Sequence, residues 1–157
     1  MADRRAELRA EITAAQGELL QMVESLTSKD WEQTTYEGWT SKDTFAHLAS
    51  IQERQRAQIQ CALDGTPWNP QDDVNAYNER KVQERRRWTA DQVRGEYERE
   101  QASTLAVLDR IREDELQRTF LHPTRGLRTV EIVFVQMANH IREHAADMVA
   151  AKTGSAT

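Results

Sequence analysis

Two histidines stand four residues apart in the segment His140-Ile141-Arg142-Glu143-His144, and on a helix that spacing sets two imidazoles on one face with roots about 5 to 6 Å apart. Met137 and Val133 precede His140 on the same face, so the pair looks towards a core. Two imidazoles so placed suit a divalent cation, and they equally suit two core histidines hydrogen-bonded to neighbours. His47 favours the first reading. It sits one turn before Ile51, at the flank of another apolar stripe, and helices packed about 8 to 10 Å apart let all three rings reach a point about 2.0 to 2.1 Å from each nitrogen. Three histidines leave an ion with open positions, whereas structural zinc sites are closed by four protein ligands. An open position can hold a water made more acidic, or a thiol kept as thiolate. Zinc fits this ligand set first, and nickel, manganese and iron fit it too.

Other residues carry weaker signals. Glu143 completes the H-x-x-E-H pattern of the inverted zinc proteases, in which it would be a general base; it also lies about 100° around the helix from His144 and reads as a solvent-facing acid. Asn75, Asn78 and Arg142 are candidates for substrate contacts, the first two from a long connection and the third from its place beside the histidine pair; each also reads as a surface polar residue. His122, in a loop beside Pro123, reads as exposed. Trp39, Trp68 and Trp88 read as caps on the ends of a bundle rather than as pocket walls. Cys61 is the only cysteine, which excludes an intramolecular disulfide and a thiolate metal site built by this chain alone.

The elements that must position these residues are helical. Leu8, Ile12, Ala15, Leu19, Val23 and Leu26 recur at three- and four-residue steps, predicting a first helix over roughly Asp3 to Leu26. After Thr27-Ser28-Lys29-Asp30, a linker carrying Trp31, Tyr36, Gly38 and Trp39 is aromatic enough to pack on the bundle. Thr40-Ser41-Lys42-Asp43 has the form of a capping box that opens a second helix. That helix carries Phe45, Leu48, Ile59, Ala62 and Leu63 and stops at Asp64-Gly65-Thr66-Pro67. Residues 66 to 88 form the longest polar connection, with a short helical stretch around Val74, Tyr77 and Lys81; a link of this length lets the helices on either side run parallel. Thr89-Ala90-Asp91-Gln92 caps a third helix through Val93, Tyr97, Thr104, Leu108 and Ile111. Thr129 opens a fourth, through Val130, Val133, Phe134, Met137, Ile141 and Met148, expected to be the most buried. No alternating strand pattern persists beyond a few residues.

The reading is thus all-α, a four-helix bundle forming one domain over residues 1–152, with a frayed tail at 153–157. Apolar residues make up 38% and charged residues 30%, too polar a balance for a membrane span. The formal charge is -5, and acids interrupt the arginines outside Arg85, Arg86 and Arg87; nucleic acid is not an expected partner, since phosphate binding needs a sustained basic face. The first residues run into a charged helical pattern with no apolar signal core, and a cytoplasmic location is expected.

With Gly38-Trp39-Thr40-Ser41-Lys42-Asp43-Thr44-Phe45-Ala46-His47-Leu48 and the His140/His144 pair in hand, the sequence resembles the DinB-like superfamily of metal-binding four-helix bundles over essentially its whole length. Asp72-Asp73-Val74-Asn75-Ala76-Tyr77-Asn78 is similar to the connection in relatives that include mycothiol-dependent maleylpyruvate isomerase domains. The resemblance implies a metal held by His47, His140 and His144, a long crossover between the second and third helices, and homodimers. Some relatives are thiol-dependent transferases or isomerases and others hydrolases. The chain departs from the maleylpyruvate isomerases in having histidine at His140, where they commonly place a glutamate ligand. A metal-dependent enzyme acting on a small molecule is expected, with a low-molecular-weight thiol as second cofactor; a hydrolase, or a noncatalytic metal-binding or stress-related module, is the alternative.

Overall fold

The computed structural model describes residues 3–35 and 38–153. The expectations for Tyr36 and for a frayed tail from Gly154 onward lie outside these residues. Four long helices build the fold: α1 (Arg4–Glu24), α3 (Ser41–Asp64), α5 (Ala90–Arg110) and α6 (Val130–Lys152), joined by the shorter α2 (Ser28–Trp31) and α4 (Val74–Glu84). The bundle is therefore four-helical, as the periodicities predict, and each long helix starts where its cap residue stands. Asp3, Thr40, Thr89 and Thr129 each accept a backbone N–H of the first turn. At α3 the box is reciprocal, with Asp43 accepting from the Thr40 backbone, so two of the four orphan donors of that terminus are satisfied locally. Gly65 ends α3 at φ +72°, a conformation a side chain would strain.

Helix directions follow from the side chains that meet. Lys42 donates to the carbonyls of Arg86 and Trp88 at the start of α5, and Gln52 accepts from Thr104 further along it. Helices α3 and α5 therefore run parallel, which the 66–88 crossover allows. Arg4 meets Glu131, Arg142 meets Glu11 and Glu18, and Lys152 reaches Ser25, so α1 and α6 form a second parallel pair. His47 near the start of α3 faces His140 and His144 far along α6, making the two pairs antiparallel to each other.

Three expectations are corrected. Helix α3, not the last helix, is the most buried: every residue from Thr44 to Gln52 is inside, because α5 and α6 pack on it while α4 crosses it, with the Tyr77 hydroxyl donating to the Ser50 carbonyl at 3.0 Å. The region before α6 is not a plain loop. After a 3-10 turn at Glu113–Gln117 come β1 (Thr119–His122) and β2 (Gly126–Thr129), an antiparallel hairpin in which Phe120 faces Arg128 and His122 faces Gly126. Gly126, at φ +73°, supplies the left-handed residue such a tight loop requires. The strands are too short for alternation to register as a pattern, and the hairpin's Phe120 docks it on the core. The tetrad Thr27–Asp30, read as a break, is itself the capping box of α2.

Among the described residues no helix is long and apolar enough to cross a membrane.

Candidate metal centre

The buried stretch of α3 carries His47 into the seam with α6, where His140 and His144 project one turn apart. The Nε2 atoms of His47 and His140 lie 3.1 Å apart, and those of His140 and His144 lie 3.0 Å apart. All three ligand atoms fall within 4.8 Å of one another. Nitrogens that share one ion at 2.0 to 2.1 Å are separated by about 3.0 to 3.4 Å, so the spacing suits a common cation. The ring planes cross at 81° to 89°, edge to face rather than stacked, an arrangement in which three lone pairs converge.

The electrostatics agree with that donor set. Burial, then His140 and His144, hold the His47 imidazole well below its ordinary value. Burial, then His144, bring His140 down to about 3. Neutral imidazole is the form that ligates a metal. Nδ1 of His47 is buried without a hydrogen-bond partner. Nδ1 of His144 lies 3.2 Å from Asp147 Oδ2 but out of line for a hydrogen bond.

Two cavities meet at this cluster, and both include His47, His140 and Asn78 in their walls. The larger, about 820 Å³, extends past Arg54, Trp68 and Glu143 to the hairpin turn at His122–Arg125. The smaller, about 400 Å³, is walled by Trp39, Asn75, Glu79 and His144. Asn78 stands between the two, and its Oδ1 is buried with no partner, an acceptor left over by the fold.

The structure therefore brings His47, His140 and His144 together and places Asn75, Asn78 and Glu143 beside them. It does not do so for Arg142, which is a correction. Two positions beyond His140 on a helix is the far flank, and Arg142 reaches Glu11 at 3.2 Å and Glu18 at 3.2 Å on α1. Trp39 and Trp68 are also corrected from end caps to cavity walls. Trp39 lies 5.2 Å from the His47 ring, held by a turn in which Thr35 binds the Trp39 carbonyl through both its N–H and its hydroxyl. Arg54 lies against the Trp68 and Tyr77 rings, at 5.3 and 4.9 Å. Sequence reasoning missed His122 as a wall residue; the signal available was Phe120 to His122 followed by Pro123 and Gly126, a short hairpin with glycine.

These features define a helical bundle with a three-histidine centre. The DinB superfamily profile matches residues 11–148, and the chain belongs to that superfamily. No curated protein matches the sequence. Among solved structures, YfiT from Bacillus subtilis, described as "a probable metal-dependent hydrolase with an unusual four-helix bundle topology", is similar at a TM-score of 0.81 and 20% identity, covering 98% of this chain and 90% of its own. A mycothiol-dependent maleylpyruvate isomerase is similar at 0.79 and 14% identity, over 94% of this chain and 63% of that one. The colibactin self-resistance protein ClbS, solved in complex with double-stranded DNA, is similar at 0.74 and 12% identity, over 94% of both chains. At these identities the likeness establishes the fold.

Proposed function

We propose that the chain is a metal-dependent enzyme in which His47, His140 and His144 hold one divalent ion, zinc first among nickel, manganese and iron, and that it acts as a thiol-dependent transferase or isomerase on a small molecule. A divalent ion bound there would supply Lewis acidity to an oxygen or sulfur donor that shares it. The observation that carries the reading is the convergence of three imidazoles, His47 and His144 buried and His140 half-buried, at a point open to two cavities. Transfer between two molecules needs room for both at one centre, and the paired cavities supply it. Asn78, which lines both cavities, positions the substrates; Asn75 and Trp39 bound the smaller one. The maleylpyruvate isomerase relative supports a thiol partner by its name alone.

Hydrolysis is the second reading, favoured by Glu143, an exposed carboxylate one turn from His140 in the wall of the larger cavity and placed to accept a proton. In both readings the protein works in the cytoplasm as a homodimer, takes no nucleic acid and folds as one domain.

The test has two parts. Elemental analysis of the purified protein should give one ion per chain, lost in His140→Ala. Titration of the cobalt-loaded protein with small thiols should shift its visible absorption. Spectra indifferent to every thiol, with chelator-sensitive hydrolysis of esters or lactones, would replace transfer by hydrolysis; bound metal without either would leave a noncatalytic module.

A further inference from the structure

The larger cavity ends against the hairpin, and the hairpin presents donors without acceptors. Phe120, His122 and Arg128 share the inner face of the two strands, because Arg128 pairs directly with Phe120 and alternate residues of a strand point the same way. The outer face carries Leu121 and Leu127, 52% and 71% exposed. Arg128 is half-buried, and its Nη2 is buried with no partner. Arg125, in the turn, lines the cavity. Among the described residues neither arginine makes an ion pair, and burial together with Arg125 disfavours the charge on Arg128. Two neighbouring cations with no counter-charge, one of them partly desolvated, are an unfavourable arrangement unless an anion completes it.

His122 adds a third donor. Its Nδ1 faces the backbone N–H groups of Thr124 at 3.2 Å and Arg125 at 3.3 Å. An atom that accepts two N–H groups carries no proton itself, so in the neutral ring the hydrogen is on Nε2. Burial, then the nearby charges of Arg125, Arg128 and Arg54, keep the ring below its usual value. Two of the three acids along the same cavity are engaged: Asp72 pairs with Arg80 and Arg54, and Asp73 caps α4. Glu143, the third, stands on α6 a turn from His140, at the histidine end of the cavity.

We propose that the hairpin wall of the larger cavity is an anion subsite, in which Arg125 and the Nε2–H of His122 bind a carboxylate or phosphate group of the molecule whose reacting end lies at the three histidines, while Arg128, on the His122 face of the hairpin but outside the cavity lining, adds its uncompensated charge. The assignment rests on the cavity being the substrate's binding space, and it narrows the substrate to an anionic small molecule.

Histidine side-chain NMR on the full chain tests the subsite, metal-free and cobalt-loaded, with succinate and inorganic phosphate as probes. Saturable movement of the His122 resonances is expected with at least one of them, and which one responds tells carboxylate from phosphate. In Arg125→Gln/Arg128→Gln the affinity should fall about tenfold or more, the loss of at least one charge-assisted hydrogen bond. The His122 pKa should rise there, since two cations that hold it down are gone. Arg112→Gln, outside the cavity, should change neither. Arg125→Gln alone, at an exposed turn position, serves if the double variant fails to fold. No His122 response to either anion, or undiminished binding in the variants, would overturn the subsite. Because these readings hold in the metal-free protein, their failure with one ion per chain still bound would sink the anion subsite alone, whereas loss of metal binding would sink the proposed function alone.

Discussion

Helix α3 carries polar side chains into the bundle on two flanks, and they are finished differently. Towards α5, Gln52 accepts from Thr104 at 2.8 Å and Arg56 meets both Thr104 and Glu100. Nearby, Arg85 makes two hydrogen bonds to Glu96, at 2.7 and 2.6 Å. These groups find their partners within the chain; the Tyr97 hydroxyl and Gln101 Nε2 of α5 are buried without one, but neither residue lines either cavity. Towards α6, three imidazoles turn their Nε2 atoms on one another, and Nδ1 of His47 and Oδ1 of Asn78 are left over. Buried polar groups are normally satisfied, and exceptions that cluster beside a cavity mark a place completed by something else. The α5 flank thus reads as structural and the α6 flank as functional, although both are polar, buried and on one helix.

The sharpest break of that comparison is on the α5 flank. Glu96→Gln should destabilise the fold by about 3 kcal/mol in urea denaturation, because it leaves the buried Arg85 guanidinium with only the exposed Glu84 carboxylate as counter-charge; the cost is at the low end for a buried pair because that contact remains and about a tenth of each side chain is accessible. Metal content should be unaffected. An equal loss in an isosteric variant on the α6 flank would erase the distinction.

On the α6 flank the effect should depend on the ion. Zinc at about 100 times its dissociation constant should stabilise the chain by about 2.7 kcal/mol, raising Tm by about 5 to 10 °C for a chain of this length. Chelator should reverse the shift, and His140→Ala should abolish it while leaving the metal-free fold within about 1 kcal/mol of the parent.

The third effect is the pH dependence of the metal-free protein. His140 titrates at about 3 in the fold and His47 well below 6.5, against 6.5 for both when unfolded. Between those values the unfolded chain binds more protons, so this contribution is complete above pH 6.5, declines as pH falls below it, and is gone once the folded values are passed. Urea midpoints taken downward from pH 7.5 should show the decline, flattened in His140→Ala. A parent midpoint unchanged to pH 4 would mean that the rings are not buried neutral.

Much of this was legible beforehand because it is local. Thr40 and Asp43 cap α3 through groups three residues apart, Leu8 to Val23 share one face by helical period, and the four-residue spacing of His140 and His144 fixes their common direction. Other features were misread because nothing local encodes them. Arg142 is adjacent to the pair in sequence yet bonds to α1, since neighbours on a helix point apart. Trp68 became a cavity wall only because its backbone N–H binds Leu121 of the hairpin.

By itself the sequence determined where the helices begin and end, that their crossover is long, and that three histidines lie on inward faces, since short-range hydrogen bonding and periodic burial are written in adjacent residues. Tertiary structure alone decided that α3 is the central helix, that Asn78 stands between two cavities, and that the hairpin brings His122 and Arg125 to the larger one. Those facts depend on contacts between segments tens of residues apart, whose geometry is set by the packing of the whole chain.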